Sequence, residues 1–229
     1  MELGGNDAAI VLEDANVAEM AMGMFWGAFI NMGQTCACIK RLYVHENVYD
    51  EVVASLKGLA ENMPMGDGLQ DGMVMGPIQN KMQFDKVKNI VEDAKASNAN
   101  IVCGGTPLEG NGNFYSLTLI TDVTDADSIV QKEQFGPVLP IIKFSDVNEA
   151  VASANSVDVG LGASVWSSNV VKAKQIATSM QAGTVWINQH GMIHPMVPFG
   201  GHKQSGYGVE FGIDGLKSVT QPQIISTKK

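Results

Sequence analysis

The stretch Arg41-Leu42-Tyr43-Val44-His45, followed after Glu46-Asn47 by Val48-Tyr49-Asp50-Glu51-Val52-Val53-Ala54-Ser55-Leu56-Lys57-Gly58-Leu59-Ala60-Glu61, decides the fold class of this chain. Its first part is rich in residues that fit a pleated sheet and reads as a strand. Its second part sets Val52, Val53, Leu56 and Leu59 on one side of an amphipathic helix. The same alternation runs outward in both directions. Upstream, residues 8–13 form a short apolar run read as a strand. A helix-like stretch then runs towards Ile30, with Asp14 or Asn16 as its N-cap. Downstream, residues 66–77 are a Gly/Met-rich loop, and 79–97 a charged helix with Met82, Val87, Ile90 and Val91 as its apolar side. Residues 100–103 read as a strand ended by Gly104-Gly105, and 110–113 as a turn before a β-rich run over 114–120. Strands over 138–144, 163–166 and 183–187 then alternate with helices over 147–154 and 170–180.

Strands alternating with helices imply an α/β fold, a mainly parallel sheet covered by helices. The part beyond Pro198 differs. It is Gly-rich, with a short helical piece over 208–216, and residues 218–226 suit an edge strand or arm because they alternate poorly and carry Pro222. The expected division is one α/β domain over 1–217 and a terminal strand or tail over 218–229.

Composition narrows the function. The 229 residues are 45% hydrophobic and 17% charged, an ordinary globular balance that can bury a core. A net charge of −9 repels phosphate backbones and anionic lipid, so nucleic acid and membrane surfaces are poor partners. No apolar run approaches the roughly 20 residues of a membrane span. The opening residues have no basic or apolar leader region, so no signal peptide is expected. Cys36, Cys38 and Cys103 are too few and odd in number for a disulfide framework, which points to a reducing compartment, the cytoplasm. Cys36-Ala37-Cys38 is too tight for the usual zinc arm and the histidines are scattered, so no metal site is expected.

Three stretches could carry chemistry. Glu2-Leu3-Gly4-Gly5 puts a carboxylate beside a backbone able to turn tightly and approach a ligand. On its own it reads as a surface turn. Gly33-Gln34-Thr35-Cys36 puts a cysteine just past the end of a helix; alone, Cys36 reads as buried packing. Glu133-Gln134-Phe135-Gly136-Pro137-Val138 puts an acid, an aromatic and a Gly-Pro kink before a strand, and alone is a carboxylate before a turn.

Together, and in this order, the three resemble the aldehyde dehydrogenase superfamily. Residues 1–8 look like its glutamate signature, 29–40 like its cysteine signature, and 133–138 match its E-x-F-G-P-V element. Further matches are Gly183-Thr-Val-Trp-Ile-Asn188, Pro198-Phe-Gly-Gly201 with Lys203, and Ser205-Gly206 followed by Gly208. The Asn188-Gln189-His190 and Gly208-Val-Glu-Phe-Gly212 variants resemble a branch of microbial and fungal enzymes of broad aldehyde range.

The resemblance implies a reaction and a cofactor. Cys36 is the nucleophile that attacks the aldehyde carbon, and a helix terminus or nearby positive charge would favour its thiolate. Hydride leaves to NAD or NADP, and a thioester remains. Water activated by Glu2 hydrolyses it. The Cys36 backbone N–H supplies one oxyanion donor. Glu133 holds the nicotinamide ribose and Phe135 packs at the same end of the cofactor. Gln83 and Lys86 lie in the helix whose counterparts reach the adenosine ribose. Phe199 lines the aldehyde tunnel, and residues 189–197, with Met192, Ile193 and Val197, make an apolar wall that suits an apolar aldehyde.

Family members are roughly twice this long, with a dinucleotide-binding domain first. No G-x-G-x-x-G follows a strand here, so the expectation is a catalytic half that lacks its nucleotide-binding half. Three readings follow. The chain is the catalytic part of an NAD(P)-dependent enzyme, working with a separate half or as a homo-oligomer. Alternatively it is a truncated enzyme that uses the Cys36 pocket without cofactor, for ester or thioester hydrolysis or for aldehyde condensation or cyclisation. Or it is a non-catalytic partner that pairs through its last strand.

Overall fold

The computed structural model describes residues 3–97 and 99–229. Its frame is a seven-stranded sheet in the order β3-β4-β5-β2-β1-β7-β8. The strands are β1 (Asp7–Val11), β2 (Ile39–His45), β3 (Asn100–Cys103), β4 (Thr118–Thr121), β5 (Val138–Phe144), β6 (Val159–Gly160), β7 (Gly162–Trp166) and β8 (Thr184–Ile187), followed by β9 (Phe199–Gly200), β10 (His202–Lys203) and β11 (Val209–Glu210). Every pairing in the large sheet is parallel except that of β3 with β4. The helices are α1 (Val17–Phe29), α2 (Tyr49–Asn62), α3 (Lys81–Ala96), α4 (Ser128–Gln131), α5 (Val147–Ala154), α6 (Val170–Ala177) and α7 (Gly212–Ser218).

Helices cover both faces of the sheet, which is why its central strands are apolar on both sides. In β1, Ala9 and Val11 face the core shared with α1 and α2, while Ala8 and Ile10 face the core shared with α5 and α6. A third core lies between α3 and β4, built on Val87, Ile90, Val91 and Ile120. No helix among the described residues is long and apolar enough to cross a membrane.

Several expectations are corrected. Asn16, not Asp14, caps α1, its side chain accepting the Glu19 N–H at 3.4 Å. Asp14 is drawn instead to the start of α6, where it accepts from the Ser167 hydroxyl at 2.7 Å and the Asn169 N–H at 2.9 Å. Met82 is 78% exposed. It precedes Val87 by five positions, about 140° around the helix from the buried stripe. In the run 114–120, ladder pairing starts only at Thr118, and Tyr115 makes an isolated bridge to Pro107. Helix α6 stops at Ala177, short of Met180.

Residues 218–226 form no strand. Ser218 closes α7, and the N–H groups of Val219 and Thr220 bond back to Leu216 and Lys217 at 3.4 and 3.1 Å. Pro222 then lacks the donor a ladder needs. The remainder of the tail has no regular structure and is exposed, Ile224 to 90%.

Candidate active site

The three motifs of the sequence converge at one end of the sheet. Gly4-Gly5 leads into β1, Cys36-Ala37-Cys38 into β2 and Glu133-Gln134-Phe135 into β5. These strands are parallel, so the segments share the N-terminal edge. Open α/β sheets more often bind ligands at the opposite, C-terminal edge.

The cysteine loop is shaped by its backbone. Helix α1 stops at Phe29, and Asn31, Met32 and Gly33 turn left-handed, at φ of 52°, 61° and 68°. The α-helix therefore ends one residue before Ile30, and a 3-10 turn over Ile30–Gly33 leads into the cysteine loop. Gln34 locks the turn, its amide donating to the Asn31 carbonyl at 3.1 Å and its Oε1 accepting the Gln79 N–H at 2.8 Å. At Gly33 a Cβ would run into the Gly136 carbonyl oxygen, so glycine lets the cysteine loop and the Glu133 loop touch backbone to backbone.

Cys36 is partly exposed and packs on Ala37, Leu161 and Trp186, with Phe199 against the same cluster. Cys38 is fully buried, and burial pushes its thiol pKa up. Exposure thus favours Cys36 as the reacting thiol and keeps Cys38 protonated. The helix end before the loop is a C-terminus, whose partial negative charge does not favour a thiolate. The cation of the loop is Lys40. Its Nζ donates to the carbonyls of Thr35 at 2.9 Å and Cys36 at 2.7 Å, and lies 3.3 Å from Glu133 Oε1.

Glu133 joins the other two segments. Its Oε1 accepts the Gly5 N–H at 3.2 Å, and a Cβ on Gly4 would stand 2.6 Å from its Oε2. A Cβ on Gly5 would stand 3.1 Å from the Cys36 carbonyl oxygen. The paired glycines therefore bring the start of the chain against both the carboxylate and the cysteine loop. Glu2 itself lies outside the described residues. Phe135 lies beside Lys40, whose Nζ is 5.8 Å from its ring centre.

The remaining candidates divide. Gln83 is drawn inward: its amide donates to the carbonyls of Gln134 at 2.7 Å and Phe135 at 2.8 Å. Those bonds use both amide protons, so Gln83 holds the Glu133 loop and has no donor left for a ribose. Lys86 is exposed on α3, in a separate open groove with Lys81, Met82, Asp85 and Lys132. Phe199 is half-buried, its ring 6.4 Å from that of Trp186. Ile193 is 46% exposed on the loop after β8, and the Trp186 indole N–H holds that loop by the Met192 carbonyl at 2.9 Å. Among the described residues, no cluster of three or more His, Cys, Asp or Glu could hold a metal ion.

Sequence reasoning missed Lys40 and Trp186 as site builders, and also a buried pair, Asp7 and His190. Lys40-Arg41 did carry a signal. Adjacent charges inside an apolar strand are affordable only with partners.

The aldehyde dehydrogenase family model matches residues 1–225, and the chain belongs to that family. Human retinaldehyde dehydrogenase 3 is 38% identical over 228 residues, covering 100% of this chain and 44% of that protein. Betaine aldehyde dehydrogenase of Brucella anthropi is 39% identical over 225 residues, covering 96% of this chain and 46% of that protein. Among solved structures, the NAD+ complex of a Bacillus cereus aldehyde dehydrogenase superposes with a TM-score of 0.92 at 39% identity, covering 95% of this chain and 44% of that one. Escherichia coli lactaldehyde dehydrogenase gives 0.94 at 32% identity, covering 98% and 47%. The chain thus spans less than half the length of each of these relatives.

Proposed function

We propose that this chain carries the catalytic part of an aldehyde oxidation, in which Cys36 is the nucleophile and NAD or NADP the hydride acceptor. The observation that carries the reading is the meeting of the Gly4-Gly5 segment, the Cys36 carbonyl, Lys40 and Glu133 at one sheet edge. The Cys36 thiolate attacks the aldehyde carbon, and the tetrahedral oxygen takes the Cys36 backbone N–H as a donor. A nicotinamide dinucleotide, when bound, supplies the acceptor for the departing hydride. Glu133, a partly exposed carboxylate beside Phe135, fits an interaction with the ribose hydroxyls next to that ring. Lys40 keeps Glu133 from drifting. Glu2 would draw the proton from the water that hydrolyses the thioester on Cys36.

Residues 191–197 are all exposed, and Met192, Ile193, Met196 and Val197 make the face beside Phe199 apolar. The substrate that fits is an apolar aldehyde. Residues 1–217 form the catalytic unit, and 218–229 an arm that pairs with a second copy or with a nucleotide-binding half.

The test is calorimetric titration of the chain with NAD and NADP, followed by aldehyde-dependent reduction of whichever binds. Cys36→Ala should lower turnover by about a thousandfold or more. An activated ester, assayed without cofactor, should be hydrolysed by wild type and not by Cys36→Ala. Turnover that survives Cys36→Ala, in either assay, overturns the assignment. Failure of both dinucleotides to bind at millimolar concentration removes autonomous oxidation and leaves only cofactor-free chemistry at Cys36.

A further inference from the structure

The Asn188-Gln189-His190 stretch has no part in the reaction above, yet the His190 side chain is completely enclosed, as is the Asp7 carboxylate facing it. Their polar atoms form a directed chain. The Trp166 indole N–H donates to the Ser164 hydroxyl oxygen at 2.9 Å, and that oxygen lies 2.9 Å from His190 Nδ1. Tryptophan can only donate, so the Ser164 proton is free for Nδ1, and in that tautomer the ring proton sits on Nε2. Nε2 faces Asp7 Oδ2 at 3.4 Å, and neither atom has a hydrogen-bond partner among the described residues. Asp7 Oδ1 accepts the Gly162 N–H at 3.0 Å. The three residue types are those of a Ser-His-Asp triad, with the ring nitrogens exchanged: Ser164 is on Nδ1, and Asp7 faces Nε2 beyond hydrogen-bond distance. But the Asp7 and His190 side chains and Ser164 have no exposed surface, and the serine oxygen already takes the Trp166 proton. No substrate reaches it, so its role is positional.

Its location gives that role content. A Cβ on Gly5 would stand 2.7 Å from Asp7 Oδ1 and 3.1 Å from the Cys36 carbonyl oxygen. A Cβ on Gly191 would stand 3.4 Å from the Ala37 carbonyl oxygen. The His190 ring lies 4.9 Å from that of Trp186, which holds the Met192 carbonyl and packs in the Cys36 cluster. Residues 191–198 are all exposed, so His190 is the buried anchor of a loop that otherwise lies on the surface. We propose that the Asp7–His190 pair is a clamp that sets residues 191–197 over Cys36, making His190 a positioning residue that fixes the width of the entrance and the size of aldehyde admitted. The limit on aldehyde size rests on the function proposed above; the placement of the loop does not.

The experiment compares the alkylation rates of Cys36 by a small reagent, iodoacetamide, and a bulky one, N-(1-pyrenyl)maleimide. Cys36→Ser, run in parallel, subtracts the contribution of Cys103. In His190→Ala the bulky-to-small rate ratio should rise about fivefold, the population change expected when one ordinary hydrogen bond, here that between His190 Nδ1 and Ser164, is lost. His190→Gln, whose amide can reach Asp7, should return most of the way to wild type. If His190→Ala does not fold by circular dichroism, Asp7→Ala/His190→Phe carries the same expectation without leaving a buried carboxylate alone. A ratio within error of wild type in a folded variant overturns the clamp. So does an equal fall in both rates, which would place the effect on the thiol and not on the entrance. Alkylation needs neither aldehyde nor dinucleotide, so a failed cofactor titration leaves this result standing, and an unchanged ratio leaves Cys36-dependent turnover standing.

Discussion

Gly33 turns left-handed at φ 68°, with its missing Cβ pointed at the Gly136 carbonyl. A side chain there meets backbone strain and an unyielding backbone contact together. Gly33→Ala should therefore cost about 2–4 kcal/mol, more than the strain of a left-handed alanine alone. The cost would be read from the urea midpoint. A loss below about 0.5 kcal/mol, the ordinary range for an exposed site, would mean that the two loops do not touch as described. The same residues show what could be known from the sequence. Cys36, Glu133 and Phe135 were legible because their motifs are contiguous, and the structure brings all three to one edge. Lys40 was not assigned a role because its partners are a carbonyl four residues back and a carboxylate in a distant loop. Asp7 and His190 were invisible for the same reason: a buried polar pair exists only once two distant segments meet.

At the scale of elements, α3 is tied to the Glu133 loop by one side chain. Gln83 satisfies the carbonyls of Gln134 and Phe135, which no ladder reaches because β5 starts only at Val138. Gln83→Leu removes both donors and leaves those partly buried acceptors with nothing in exchange. The expected loss is about 1–3 kcal/mol, since an unsatisfied acceptor costs more than a made bond gains. Hydrogen exchange at residues 133–136 should quicken in the variant while the amides of β2 stay protected. Unchanged exchange in that loop would mean that Gln83 does not hold it, and would return Gln83 to the ribose-facing role implied by the resemblance. The elements that sequence reasoning placed well, such as β5 and α5, are those whose apolar pattern is set by cores within the chain. Over 218–226 the local pattern does not decide, because whether an exposed segment pairs depends on an edge outside it, and within the single chain the part beyond Ser218 has no regular structure. Met82 is a simpler case: it was read onto the apolar side, but it lies on another face of α3.

For the whole molecule, burial leaves its mark on alkaline stability. It raises the Cys38 thiol above its ordinary 9.0, and pushes the phenols of Tyr49 and Tyr115 from 10.0 up to about 12. Tyr43 is raised by the same cause. Each of these acids keeps its proton in the folded state to a higher pH than in the unfolded chain. Their contribution is fully present below the unfolded values and is lost as pH rises through the folded ones. The urea midpoint should therefore hold steady up to about pH 9 as far as these groups are concerned, and fall between about pH 9 and 12. The net charge of −9 pulls in the same direction, because deprotonation adds to an existing excess of negative charge. Tyr115→Phe separates the two causes. The Tyr115 hydroxyl is buried with no hydrogen-bond partner among the described residues, so its removal should leave stability at pH 7 within about 1 kcal/mol of wild type. The alkaline limb, however, should become shallower, because one buried proton no longer has to be surrendered. General repulsion predicts no such change, since folded Tyr115 keeps its proton up to about pH 12 and Tyr115→Phe leaves the charge of the folded chain as it was. Superimposable midpoint curves for variant and wild type across pH 9 to 12 would therefore assign alkaline unfolding to surface charge and remove Tyr115 from the account.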